Sequence, residues 1–150
     1  MQQATESRPV PIHLWIVGAL SLLWNGFGCY DYLMTRMRDT DYLASMMPDV
    51  DPQAMLAYID GLPLWAQFGW GLGVWLGLIG AALLIVRNRL AVPAYLLSLL
   101  GAVVGLGYQL ANPMPEIKGF LAMGMPIGII LIALGQYLYA RAQRASGVLR

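Results

Sequence analysis

The sequence predicts an all-α polytopic membrane protein, a bundle of four transmembrane helices with a long external loop containing short amphipathic helices. Three observations predict it. Four runs, Ile12–Tyr30, Leu64–Val86, Leu90–Leu110 and Phe120–Ala140, hold no Asp, Glu, Lys or Arg over 19, 23, 21 and 21 residues. At about 1.5 Å of rise per residue, each can cross a hydrocarbon core of roughly 30 Å as a helix. Only 11% of the residues are charged and the mean hydropathy is +0.61, whereas a soluble domain carries about 25% charged residues because its surface must be solvated. Third, the remaining charges lie between and beyond the runs, segregated by sign. Residues 1–150 read as a single membrane domain, with no stretch outside the spans expected to bury a core of its own.

The first span, 12–30, is not followed by an A-x-A-like cleavage site, so it reads as a retained helix rather than a signal. Cys29, the only cysteine, follows Gly26-Phe27-Gly28, which is not a lipobox, and reads as a small packing residue. Residues 31–63 form the external loop. Within it, Asp51-Pro52-Gln53 has the order N-cap, Pro at the first helical position, then helix, and Gly61 supplies a stop. Met55, Leu56 and Ile59 share one face of that helix. Tyr42, Leu43, Met46 and Met47 have similar spacing in Asp41–Met47, which ends at Pro48. These pieces are expected on the outer membrane surface or over the mouth of the bundle.

The second span, 64–86, carries Gly69, Gly73, Gly77 and Ala81 four residues apart, a row of small residues along one face. Such a row lets another backbone approach closely and is a common device of helix association in lipid. The three-residue turn Arg87-Asn88-Arg89 makes the third span, 90–110, its antiparallel neighbour. Pro93 fits that helix's first turn, and Gly101 and Gly105 repeat the small-residue spacing. Asn112-Pro113-Met114-Pro115 interrupts the chain before the fourth span, 120–140, in which Pro126 is expected to produce a kink. Packing within the bundle and association with another chain are both open to the glycine face.

Orientation follows from the positive-inside rule. With the N-terminus inside, Arg8, Arg87, Arg89, Arg141, Arg144 and Arg150 are cytoplasmic and Arg36, Arg38 and Lys118 are external, six against three. The acids divide the other way, only Glu6 being inside. The stretch 31–61 holds six Asp and two Arg, an anionic cap of net charge −4. Trp and Tyr form belts near both faces, while Trp70 and Trp75 lie deeper and face lipid or fill the bundle.

Several chemistries are excluded. One cysteine allows no intramolecular disulfide, CxxC pair or cysteine-based metal site, and a single His13 cannot supply two axial haem ligands within one chain. No span holds an ionisable Asp, Glu, Lys or Arg of the kind that couples ion or proton transport. Small multidrug transporters need a glutamate in the first helix, membrane glutathione transferases a charged residue in a helix, and quinone-reducing disulfide enzymes paired cysteines; this chain has none of these. The Asp39-Thr40-Asp41 and Asp49-Val50-Asp51 pairs lack the glycine and late glutamate of a calcium loop. The sequence therefore calls for no metal, cofactor or nucleic acid. Its expected partners are the lipid bilayer and a homo-oligomer or larger membrane complex.

The remaining polar residues of the spans gather by depth. Asn25, Gln67 and Gln109 fall in the outer third, with Tyr30, Asp31, Tyr32 and Tyr108 at or near the same level. Polar groups in hydrocarbon are costly unless paired, so these are expected to converge, either as a ligand pocket or as a hydrogen-bonded packing cluster.

The stretch Leu23-Trp24-Asn25-Gly26-Phe27-Gly28-Cys29-Tyr30-Asp31-Tyr32-Leu33-Met34-Thr35, with Gly73-Val74-Trp75 and Ala91-Val92-Pro93, resembles an uncharacterised family of small four-span bacterial inner-membrane proteins, some of them labelled sugar transporters. The resemblance covers most of 12–109 and implies the same four-span layout with a long first external loop. It is most specific around Asn25 and Asp31-Tyr32. In shape alone the layout is also similar to DoxX-type membrane proteins. Two functions follow as expectations: a non-enzymatic accessory or self-associating scaffold subunit of the bacterial inner membrane, or a small-solute binding or transport protein with an outward-facing polar pocket.

Overall fold

The computed structural model describes residues 10–150; Glu6 and Arg8, which enter the charge count above, lie outside the described residues. Six helices account for the regular structure there: α1 (Ile12–Arg36), α2 (Thr40–Met46), α3 (Pro52–Asp60), α4 (Leu64–Ile85), α5 (Ala91–Ala111) and α6 (Phe120–Ala145). Of these, α1, α4, α5 and α6 are long and apolar enough to cross a membrane. Much of their surface is exposed and greasy, as at Leu23, Phe68 and Phe120, each at least 70% accessible.

Two helices outrun the uncharged segments. α1 continues past Tyr30 to Arg36, and α6 past Ala140 to Ala145. Charge excludes a residue from hydrocarbon but not from a helix, and a helix already nucleated adds further residues readily. The connection expected to begin at Asp31 therefore begins at Met37, and much of what remains is helical. Asp39 caps α2 by accepting from the Tyr42 amide at 2.9 Å, and Asp51 caps α3 by accepting from the Gln53 amide at 3.0 Å. Gly61 ends α3 in the right-handed region, at φ −75°, so a left-handed glycine is not what stops it. Pro63, two residues on, cannot continue the ladder. α6 runs unbroken through Pro126.

The long helices pack as a row: α1 against α4, α4 against α5, α5 against α6. The ends of the row meet where His13 on α1 hydrogen-bonds the Tyr139 hydroxyl on α6. At this end lies the main core, which includes Leu14, Ala81, Leu84, Tyr95 and Ala140 together with Val148 and Leu149. The final residues are tied to the α4–α5 turn. Arg150 N donates to Arg87 O and Arg89 N to Arg150 O, both at 2.8 Å. These bonds accompany a left-handed Arg87, at φ 59°, a conformation uncommon outside glycine.

At the opposite end, Leu43 of α2, Met55 and Leu56 of α3, and Met114 form a second, small core. The sequence reading expected none outside the spans. It forms because the apolar faces of two helices, each too short to be stable alone, are buried against one another and against the α5–α6 connection.

The α4–α5 seam is the closest contact in the row. A Cβ placed on Gly101 would stand 2.7 Å from both Gly69 O and Gly73 N, and one on Gly105 2.8 Å from Trp70 N. The obstacles are backbone, which cannot swing aside as a side chain can. Gly69 and Gly73 on α4 and Gly101 and Gly105 on α5 thus form one interlocked face inside the chain.

Candidate functional site

The polar residues of the spans are held in separate groups. The first lies where α1, α4 and α5 meet. Asn25 is 8% exposed; its Nδ2 donates to Ser21 O, one turn back, at 2.7 Å. Its Oδ1 occupies the space that a Cβ on Gly77 would need, and Ser98 Oγ borders the same space. Ser98 in turn donates to Gly73 O at 2.6 Å, joining α5 to α4. One turn further along, Gly80 gives room to the ring of Tyr95, whose buried hydroxyl has no partner among the described residues. Gly77 is therefore small to admit Asn25, while Gly69 and Gly73 are small to admit a backbone.

The second group sits at the end covered by α2 and α3. Tyr42 OH donates to Asp31 Oδ1 at 2.8 Å and its ring stands edge-on to Tyr30, with centroids 5.5 Å apart. Burial, and next the bond to Asp31, push the Tyr42 hydroxyl well above its usual range, so it remains a donor at physiological pH. Arg36 donates to Gln67 Oε1 at 2.9 Å, and Gln67 Nε2 donates to Leu62 O at 2.9 Å. Tyr58 OH donates to Asn112 O at 2.7 Å, and Arg38 pairs with Asp60 at 3.0 Å. These bonds fasten α2 to α1 and α3 to the end of α5.

Asn25, Gln67 and Gln109 do not bond one another. Asn25 belongs to the three-helix junction and Gln67 to the covered end, while the Gln109 side chain makes no hydrogen bond among the described residues. Tyr32 lies against Gly71 and edge-on to Trp70 and Trp75, with centroids 4.8 and 6.4 Å away; Trp65 does the same with Tyr108 at 5.4 Å. Among the described residues no three of His, Cys, Asp or Glu are grouped as metal ligands.

Sequence reading missed Ser21, Ser98 and Tyr42 as partners. Ser21 could have been found as the residue four before Asn25, and Ser98 from the turn. In an antiparallel pair joined at Asn88, residues nearly equidistant from it face each other, which sets Ser98 opposite Gly77 and Tyr95 opposite Gly80. Nothing local marks Tyr42, whose partner comes from another helix.

At the opposite end stand Arg87, Arg89, Arg141, Arg144 and Arg150. Arg87 Nε donates to Val148 O at 3.2 Å. Arg87 and Arg150 line one shallow cleft with Val86 and Asn88; Arg141 and Arg144 line another with Val92, Tyr137 and Ala145. No known protein family, curated protein or solved structure matches the chain.

Proposed function

We propose that this chain is an integral protein of a bacterial inner membrane, N-in and C-in, acting as a non-enzymatic subunit that associates with a second copy of itself through α6. The observation that carries the reading is the asymmetry of α6. Only 17% of its most apolar stretch is buried, against 44% for α5. Its packed face is Pro126, Ala133, Gln136, Ala140 and Gln143. At about 100° per residue, Gly124, Gly128 and Gly135 lie on roughly the opposite side. Gly128 and Gly135 have nothing within 4 Å of a built Cβ, and Gly124 only its own helix's Phe120 ring. The comparable row on α4 is filled by α5 at Gly69 and Gly73 and by Asn25 of α1 at Gly77, which leaves α6 with the open glycine row able to receive another helix closely.

The non-enzymatic reading is supported by the bonds of Asn25, Ser98, Gln67 and Asp31, which all run to other parts of the same chain. The inner-membrane placement is supported by the five arginines at one end and the aspartates at the other. A reporter fused after Arg150 should be cytoplasmic and a tag near Asp51 external.

The decisive experiment is co-purification, in mild detergent, of two differently tagged copies. The parent should capture its second copy, and Gly128→Leu should lose capture while keeping the parent's thermal stability. Capture unchanged by Gly128→Leu would remove α6 as the interface; no capture by the parent would remove self-association.

A further inference from the structure

We infer that the cleft between the start of α5 and the end of α6 binds the headgroup of an anionic phospholipid, with its acyl chains lying along α6. The inference rests on the membrane reading above, but not on self-association.

The cleft is open and shallow, about 430 Å³ in volume, with Arg141 and Arg144 on its α6 side and Val92 on its α5 side. Both arginines are exposed, and neither forms a salt bridge among the described residues. Three further arginines, Arg87, Arg89 and Arg150, stand at the same end, and every described acid belongs to the other end of the helices. Gathering like charges is unfavourable until an anion joins them, and a phosphate accepts paired hydrogen bonds from guanidinium groups in the geometry they offer.

A lipid is favoured over a soluble anion by what continues from the arginines. Ile127, Ile130, Leu134, Tyr137, Arg141 and Arg144 follow one another at three- and four-residue steps, so they form a single stripe along α6. The stripe is apolar at Ile127 and Leu134, 45% and 37% exposed. It turns amphipathic at Tyr137 and cationic at its end. From Ile127 to Arg141 it runs roughly 21 Å at 1.5 Å per residue, more than one leaflet of a roughly 30 Å core. Its order of apolar wall, aromatic and cation is the order of acyl chain, interface and phosphate in a lipid, and basic clefts between helices on the cytoplasmic side are suited to such headgroups.

The test is native mass spectrometry of the protein purified in mild detergent and equilibrated with equal amounts of phosphatidylglycerol and phosphatidylcholine. The parent should retain phosphatidylglycerol about tenfold over phosphatidylcholine, as two arginines near a surface allow. The double variant Arg141→Gln/Arg144→Gln should lose that preference, whereas Arg38→Gln, at the far end, should keep it. Equal retention of both lipids by the parent, or an unchanged preference in the double variant, would overturn the site. Displacement of the lipid by millimolar inorganic phosphate would reassign it to a soluble anion and overturn the lipid claim. Flotation of the parent with vesicles of phosphatidylcholine alone checks the membrane reading separately: a parent that floats but shows no preference loses only this site, and one that does not float loses both.

Discussion

In α4, Gly69 and Gly73 lie against the backbone of Gly101 and Gly105 in α5, whereas Gly128 and Gly135 of α6 have open space where a Cβ would stand. Written as sequence, the two rows are similar signals, glycines at four-residue steps in α4 and at steps of four and seven residues (Gly124, Gly128, Gly135) in α6, both in apolar runs. One is consumed inside the chain and the other is left outside it. Small-residue spacing says that a helix can be approached closely; the connection between helices decides what approaches. The short turn at 86–90 holds α5 against α4. α6 is joined to α5 through 112–119, a longer segment broken by Pro113 and Pro115, and presents only one side to the row.

The largest effect should come from filling the seam. Gly101→Leu would drive a side chain into two backbone atoms, and we expect destabilisation of about 3 kcal/mol, the upper end for overpacking, read as loss of the folded species in thermal unfolding followed by size exclusion. Gly73→Leu should behave similarly. Gly128→Leu should leave the same curve unmoved; equal damage at Gly101 and Gly128 would erase the distinction between the two rows.

The polar junction should matter less. Asn25→Leu removes the bond to Ser21 O and crowds Gly77, and we expect about 1 kcal/mol. Ser98→Ala, which removes only the bond to Gly73 O, should lose about 0.6 kcal/mol, the average for hydrogen bonds between helices in membranes. Thermal shifts of Asn25→Leu with and without added solutes discriminate packing from a pocket. A solute that stabilises the parent and not the variant would restore the pocket reading.

The smallest effect belongs to the covered end. Arg38 and Asp60 are 54% and 56% exposed, and a surface ion pair is worth about 0.2–1 kcal/mol before salt screens it. Arg38→Gln should therefore shift stability by well under that upper figure in physiological salt. A larger loss would mean that α3 is fastened to the bundle mainly by this pair rather than by Met55 and Leu56.

The helices were legible because each depends on a property of its own residues: an uncharged run in the four long ones, an aspartate cap and a following proline in α3. Asp51 and Pro52 begin α3 where the sequence placed them. The polar site was less legible because it depends on which helices meet. Depth alone grouped Asn25 with Gln67 and Gln109, yet depth fixes one coordinate of three. The rotation of each helix sends Asn25 toward Gly77 and Gln67 toward Arg36. The extension of α1 to Arg36 escaped the reading because the charge-free criterion marks where hydrocarbon ends rather than where a helix does.

The most direct test of the distinction between α4 and α6 is disulfide cross-linking between chains in native membranes, in a Cys29→Ser background. Leu72 is on the exposed side of α4, at 52% accessible, and Gly128 is on the open side of α6. Under mild oxidation Gly128→Cys should give a covalent dimer and Leu72→Cys should not. Dimer from Leu72→Cys with none from Gly128→Cys would contradict the account, placing the contact between copies on α4 and leaving the glycines of α6 to lipid.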